Sequence, residues 1–555
     1  MRFNDNTSRF GPAFPGAGRA PAISLALVVL LCIAWILPGL VGHDPWKPDE
    51  AYSFGLVWSI LKGGDWVVPT LAGEPFMEKP PLFYLAAAAF ARLFSPWLPL
   101  HDGARLASGF GISLALIFSG LAGRELWGKG YGRITALVMI GCLGLMVRTH
   151  QLITDVGLLA GFAVAIYGLA LARRTPLAGG IILGTGVGIS FMAKGLLGPC
   201  ILGITALLLP LFCRAWRSRG YAGALGIALL AALPWLAVWP YALYQRSPAL
   251  FREWFWVNNF GRYAGFAHLG ADNETGYYFK TLPWFAWPAL PLALWVLWRG
   301  GLNGLRAPAV QLPLIAFLVM LAVLSTASDA RDVYALPFLL PLSLLATASV
   351  DNLRRGAARA LDWFGVMTFG LIAAVLWAAW LALMTGHPAG LAERAAELQP
   401  GYVAPFQWFA LVAAAAYTLV WLAVVIRMPR SNLRALTTWA LGLTLMWGLS
   451  GTLLLPWLDA GKSYRAMVVS MRQAMPARYT CVASVRLGEP QRGMLDYFGG
   501  ILTKRVEAGA KREDCDLLLM QGGAAEENTG PGWQKIWEGG RLGDRSERFR
   551  LFRKL

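Results

Sequence analysis

The chain has 555 residues, 57% of them hydrophobic and only 14% charged, with a formal net charge of +18. A soluble globular protein carries nearer a quarter charged residues, so that class is excluded. The basic excess falls in loops between apolar runs, which points away from nucleic acid and toward membrane topology and anionic lipid as its reason.

Residues 1–20 hold Arg2, Arg9 and Arg19 among Gly, Pro, Ser and Asn, and read as a cytoplasmic arm. The first apolar run has no evident small-residue cleavage site and reads as a retained helix. Thirteen spans are expected, near 22–42, 104–123, 134–148, 152–172, 177–193, 195–213, 221–241, 281–298, 308–326, 334–350, 362–385, 403–426 and 435–457. The Arg- and Lys-bearing loops after 123, 172, 213, 298, 350 and 426 alternate, which places them inside with the N-terminal arm. A crossing at 81–95 would break that alternation. Segment 44–103 is therefore expected to stay outside, as helices on or dipping into the interface. The loop 242–280 falls on the same side.

From residue 458 the charge density rises. A helix over 467–475 and strands over 479–485, 516–520, 534–537 and 549–552 predict a small α/β domain, 458–555, on the outer face. Cys32, Cys142, Cys200 and Cys213 lie in apolar runs. Cys481 and Cys515 lie outside them, as a disulfide or as two free thiols.

The unusual polar residues near span ends gather on that outer face. Asp49 and Glu50 follow Pro48, good chemistry for a helix start, yet a carboxylate at an interfacial helix end also suits acid–base work or an ammonium partner. Glu78 and Lys79 precede Pro80-Pro81, which fix the chain while Lys79 reaches toward an anion or snorkels to headgroups. Asp155 opens an apolar run, a costly place for an acid, with Arg148 or His150 as a structural partner. Lys194 alone joins two spans. Lys79, Lys194 and Arg262 together suit a phosphate. Arg331, Asp332 and Tyr334 read as a local ion pair with an interfacial anchor, or as part of the same site. No P-loop, dinucleotide fingerprint or zinc motif is present. No cofactor is required, although Glu78 with His268 could hold a divalent metal.

These motifs resemble a known family. Pro48-Asp49-Glu50-Ala51-Tyr52, Gly64-Asp65-Trp66, Glu78-Lys79-Pro80-Pro81-Leu82, Asp155, Phe191-Met192-Ala193-Lys194-Gly195, Phe255-Trp256-Val257 before Arg262, and Val333-Tyr334-Ala335-Leu336-Pro337 are similar to the bacterial GT-C glycosyltransferases that use polyprenyl-phosphate sugars. The likeness is greatest to the lipid A aminoarabinose transferases. It implies an all-α polytopic GT-C fold in the bacterial inner membrane, with its site and α/β domain facing the periplasm. It also implies transfer of 4-amino-4-deoxy-L-arabinose from undecaprenyl phosphate to a lipid A phosphate, giving polymyxin resistance. Asp49, Asp155 and Glu78 are then the candidate catalytic acids. Lys79, Lys194, Arg262, Arg331, Tyr52, Tyr84 and Tyr334 are the candidates for binding donor phosphate and substrate. Ala51 and Tyr52 stand where the enterobacterial form carries an Arg, so that phosphate contact has to come from elsewhere. A sibling transferase with another sugar or acceptor shares these features. A lipid-linked substrate transporter would show paired repeats and interrupted helices, which are not read here.

Overall fold

The computed structural model describes residues 23–267, 273–523, 532–544 and 546–555; the arm 1–20 and His268 lie outside the described residues. Seven described helices are long and apolar enough to cross a bilayer, or up to nine if each of two bent pairs forms one span. They include Leu100–Trp127, Thr154–Leu171, Pro176–Lys194 and Arg219–Arg246. The bent pairs are Tyr277–Phe285 with Ala289–Gly304, at 97°, and Asn432–Leu453 with Leu455–Lys462, at 68°. Four of the expected thirteen spans are occupied by shorter apolar helices: Leu25–Ile36, Tyr131–Ile140, Leu197–Phe212 and Asp332–Ala346. Local chemistry shortens one of them. The run expected over 134–148 breaks at Gly141 and resumes as Leu143–Arg148, whose first amide bonds Trp287 O instead of its own helix.

Four helices are numbered here: α1 (Leu25–Ile36), α2 (Asp49–Leu61), α3 (Leu82–Phe94) and α4 (Leu100–Trp127). At 13 residues, α3 is about 20 Å long against a hydrocarbon core of about 30 Å. It lies between α2 and α4 with Ala87, Ala88 and Ala91 buried. Gly103 permits the close approach, since a Cβ there would sit 3.0 Å from Ala91 Cα.

The C-terminal residues form a five-stranded sheet in the order Thr503–Arg505, Val482–Val485, Leu517–Gly522, Arg548–Lys554, Trp533–Gly539. The first two pairings are parallel and the last two antiparallel. The edge strand Thr503–Arg505 has no apolar alternation, which is why sequence reading passes over it. Cys481 and Cys515 are joined as a disulfide.

This sheet unit is seated on the 44–103 segment. Its helix Glu489–Gly499 meets α2 glycine to glycine, and a Cβ on Gly55 would lie 3.1 Å from Gly493 Cα. Phe54, Leu56, Leu71, Met494, Leu495 and Leu519 share one core across the junction. Met494 and Leu495 are fully buried, each contributing about 1.5–3 kcal/mol. Ion pairs surround this core: Lys62–Asp496 at 2.7 Å, Arg492–Glu74 at 2.8 Å and Arg505–Glu74 at 3.0 Å. Asp44 accepts from Arg465 Nε at 2.9 Å and from Ser463 Oγ at 2.6 Å.

Candidate active site

The start of α2 divides the labour of two adjacent acids. Glu50 points inward and is 1% exposed. It accepts from the Trp46 amide at 3.0 Å, the Leu152 amide at 3.2 Å and Arg105 Nε at 2.6 Å. Arg105, also 1% exposed, donates to Asp102 at 2.7 Å, to Leu40 O at 3.1 Å and to His43 O at 3.0 Å. One guanidinium thus ties α2, α4 and the 40–44 loop together. Asp49, with its carboxylate on the other side of the same turn, is left to face the site, 3.7 Å from Arg331.

The second motif completes the cluster. Pro80 and Pro81 lead into α3, and just before them Lys79 turns inward, 9% exposed. Its ammonium donates to Tyr52 Oη at 2.6 Å and lies 4.0 Å from Glu78. Glu78 in turn pairs with the Arg262 guanidinium. Arg262 donates from Nε to Asp329 at 3.0 Å and from a terminal nitrogen to Tyr334 Oη at 3.3 Å; Tyr334 Oη donates to Asp329 at 3.1 Å. Lys194 ends the helix Pro176–Lys194, pairs with Asp155, and sits 3.8 Å from the Tyr334 ring centroid. The turn after it uses Gly195 at φ +73°, and the Leu196 amide donates to Asn259 at 3.0 Å. That bond fixes the π-helix Glu253–Gly261, which delivers Arg262.

The structure therefore gathers Glu78, Lys79, Tyr52, Asp155, Lys194, Arg262 and Tyr334 through direct contacts, with the Asp49–Arg331 pair near enough to act electrostatically on Lys79 and Glu78. Tyr84 is fully buried in the core that also holds Tyr52, and its hydroxyl has no partner among the described residues. Two expected pairings are corrected. Asp155 meets Lys194, not Arg148 or His150; His150 bonds Trp35 O at 3.0 Å. Arg331 and Asp332 do not form a local pair, because Asp332 takes Arg148 at 2.7 Å while Arg331 turns to Asp49. Two residues escaped the sequence reading. Arg105 stands at the start of an apolar run, where Asp102 three residues before it was a usable signal but Glu50 was not. Asp329 stands at the end of the helix Pro308–Thr326, beside Arg331, and its position at a span end was a usable signal. Asp329 is 7% exposed, and its Oδ1 has no partner among the described residues.

Charge neutralisation holds this cluster together. Burial pushes the Glu78 carboxyl up, but the Lys79 ammonium and the Arg262 guanidinium outweigh it and hold it at about 2. Burial opposes the Lys79 ammonium, yet Glu78 keeps it above the ordinary lysine range. Four cations, Lys79, Lys194, Arg262 and Arg331, face four carboxylates, Glu78, Asp155, Asp329 and Asp49. As for a metal, His268 lies outside the described residues, and the described residues hold no group of three or more His, Cys, Asp or Glu placed to bind a metal ion. Glu78 is surrounded by Lys79, Arg262 and Arg331, a setting that opposes a divalent cation.

A separate apolar groove of about 710 Å³ runs along α1 and α4 and ends at Arg124, Lys129 and Arg133. Arg124 is about 28 Å along α4 from Arg105, so this groove is not part of the charged cluster.

No protein-family profile matches the chain. An undecaprenyl phosphate-alpha-4-amino-4-deoxy-L-arabinose arabinosyl transferase of Pseudomonas aeruginosa (strain UCBPP-PA14) is 30% identical over 361 residues, 62% of this chain and 63% of that protein. The transferase of the same name from Edwardsiella ictaluri is 28% identical over 406 residues, 69% of this chain and 70% of that one. The match thus spans 63% of the length of the Pseudomonas relative. Among solved structures, ArnT from Cupriavidus metallidurans bound to undecaprenyl phosphate superposes with a TM-score of 0.68 at 17% identity, covering 95% of this chain and 97% of that one. Its apo form gives 0.67 at 16% identity. The chain is a helical membrane protein, similar in sequence to the undecaprenyl-phosphate aminoarabinose transferases and sharing the fold of ArnT.

Proposed function

We propose that this chain transfers 4-amino-4-deoxy-L-arabinose from undecaprenyl phosphate to a lipid A phosphate at the periplasmic face of a bacterial inner membrane. In this reading residues 21–457 form the catalytic membrane unit, with thirteen crossings once the four shorter helices are counted. Segment 44–103 and loop 242–280 lie on the periplasmic side, with 458–555 as an α/β unit above them. The observation that carries the proposal is the enclosed cluster of Lys79, Lys194 and Arg262, placed beside Tyr52 and Tyr334 in a chain related to such transferases.

The donor's C1–O bond breaks, and its electron pair leaves with the undecaprenyl phosphate oxygen. An acceptor phosphate oxygen forms the new bond to C1. The task of the protein is then to stabilise the leaving phosphate and to place the acceptor. Lys79 suits the first task. An ammonium has three donors, and among the described residues only one is engaged, by Tyr52. Arg262 is already committed through all three nitrogens to Asp329, Glu78 and Tyr334, so it frames the pocket and supplies charge. Lys194 supplies charge from beside Tyr334. Tyr52 stands where an Arg was expected and orients Lys79 instead. Tyr84 lines the inner wall. Glu78 and Asp155, each held by a cation, balance charge and do not act as bases. Asp49, beside Arg331, orients the acceptor or binds the sugar's ammonium. A lipid A phosphate is already ionised and needs no strong base.

Purified protein given the lipid-linked sugar and lipid A tests this directly. Transfer that requires both lipids and disappears in Lys79→Ala supports the proposal; no transfer by folded wild-type protein removes it.

A further inference from the structure

The cations near the site fall into two groups by exposure. Side chains of Lys79, Lys194 and Arg262 are 11, 10 and 17% exposed, whereas those of Arg148 and Arg331 are 29 and 38% exposed. Lys462 is also exposed and belongs with the second group. Its ammonium lies 4.5 Å from the ring centroid of Trp46, three residues before Asp49. Glu50 attracts it electrostatically, and Arg148 and Arg541 are near enough to repel it. No carboxylate lies within ion-pair distance of Lys462 among the described residues. Arg148 and Arg331 are joined to one another through the Asp332 and Asp49 turns: Arg148 pairs with Asp332, and the neighbouring Arg331 pairs with Asp49. Three elements therefore converge on the N-terminus of α2, and each brings an accessible cation. They are the end of Leu143–Arg148, the 331–332 turn and the end of Leu455–Lys462.

We propose that Lys462, Arg148 and Arg331 form the landing site for the acceptor's phosphate, separate from the enclosed site for the donor's. The proposal rests on the transferase reading above and assigns a place within it. Two separate sets of cations are what a reaction between two phosphates requires. A single set would let donor and acceptor compete for the same cations. A dianionic phosphomonoester suits exposed cations whose water and carboxylate contacts are easily exchanged, and Lys462, having no carboxylate to give up, is its first contact. Asp49 pairs with Arg331, so an acceptor phosphate held by Arg331 lies beside this acid. Trp46 and Lys462 also join the helix before the sheet unit to α2, so the seated sheet unit holds this rim in place.

The test uses the full chain in nanodiscs, with bisphosphorylated lipid A as acceptor. Lys462→Gln breaks no ion pair and tests the site without threatening the fold; Arg148→Gln is the second variant. The expected result is an acceptor KM raised roughly tenfold in each, with affinity for undecaprenyl phosphate unchanged. Affinity for undecaprenyl phosphate falling in parallel with acceptor affinity, or an unchanged acceptor KM, overturns the proposal. A binding arm separates its failure from that of the proposed function. Wild-type protein, even if it transfers no sugar, is expected to bind bisphosphorylated lipid A more tightly than the dephosphorylated lipid, and Lys462→Gln to lose that preference. Phosphatidylglycerol at matched charge is the control for general headgroup attraction. If it competes as well as lipid A, the rim is a membrane-lipid contact and the acceptor assignment fails.

Discussion

Replacing Arg105 with Met would test whether the site depends on the frame behind α2. The guanidinium is 1% exposed and joins two buried carboxylates, Glu50 at 2.6 Å and Asp102 at 2.7 Å, as well as the Leu40 and His43 carbonyls. Removing one partner from a buried ion pair costs about 3–5 kcal/mol, because the remaining charge is left uncompensated. Here two acids and two carbonyls lose their donor together, so the upper half of that range applies. Met has nearly the length of the Arg stem, which keeps the added cavity small. The start of α2 then loses the anchor for Glu50, and Asp49, its neighbour, shifts with it. A displacement of about 1 Å at a reacting group costs on the order of a hundredfold in rate. Chemical denaturation of purified protein, followed by Trp fluorescence, measures the stability, and transfer of the sugar measures the displacement. Stability within about 1 kcal/mol of wild type, together with full transfer, would refute the frame argument.

Asp329→Asn weakens one of the two carboxylate contacts of Arg262 and the contact to Tyr334. A hydrogen bond to a charged group is worth about 1.5–3 kcal/mol, so donor affinity should fall roughly tenfold or more in a donor-binding titration, while Asp329→Glu restores part of it. Glu78 gives a pH prediction. Its carboxyl is depressed from 4.5 to about 2, so its stabilising pair with Arg262 is complete above pH 4.5 and lost only as pH falls toward 2. Donor binding measured from pH 5 to 8 should show no step that disappears in Glu78→Gln. Lys79→Met should abolish donor binding, read by isothermal titration, and Asp49→Asn should lose transfer, read by product formation.

The site motifs were legible because charge at a span end is costly and so stands out in an apolar chain. Asp49, Glu78, Lys79, Asp155, Lys194, Arg262 and Tyr334 were all visible on that ground. Their pairing was not. Asp155 and Lys194 lie 39 residues apart, and Glu78 and Arg262 lie 184 apart. No periodicity connects them. The same limit hid the pair of Arg105 with Glu50, although Asp102, three residues before Arg105 on the same helix, was within reach of a spacing argument. In the membrane region, composition located the apolar runs, but not the break at Gly141 or the 97° bend between Tyr277–Phe285 and Ala289–Gly304. The seating of the sheet unit on α2 was likewise invisible, since it depends on Gly55 meeting Gly493 and on Lys62 reaching Asp496.

The most direct test of the central claim is mass spectrometry of lipid A from cells that make the aminoarabinose donor, with and without this chain. The account predicts a gain of the aminoarabinose mass on lipid A when the chain is present and no gain with its Asp49→Asn variant. Unmodified lipid A, with the wild-type chain present in the membrane and the donor detectable, would contradict it.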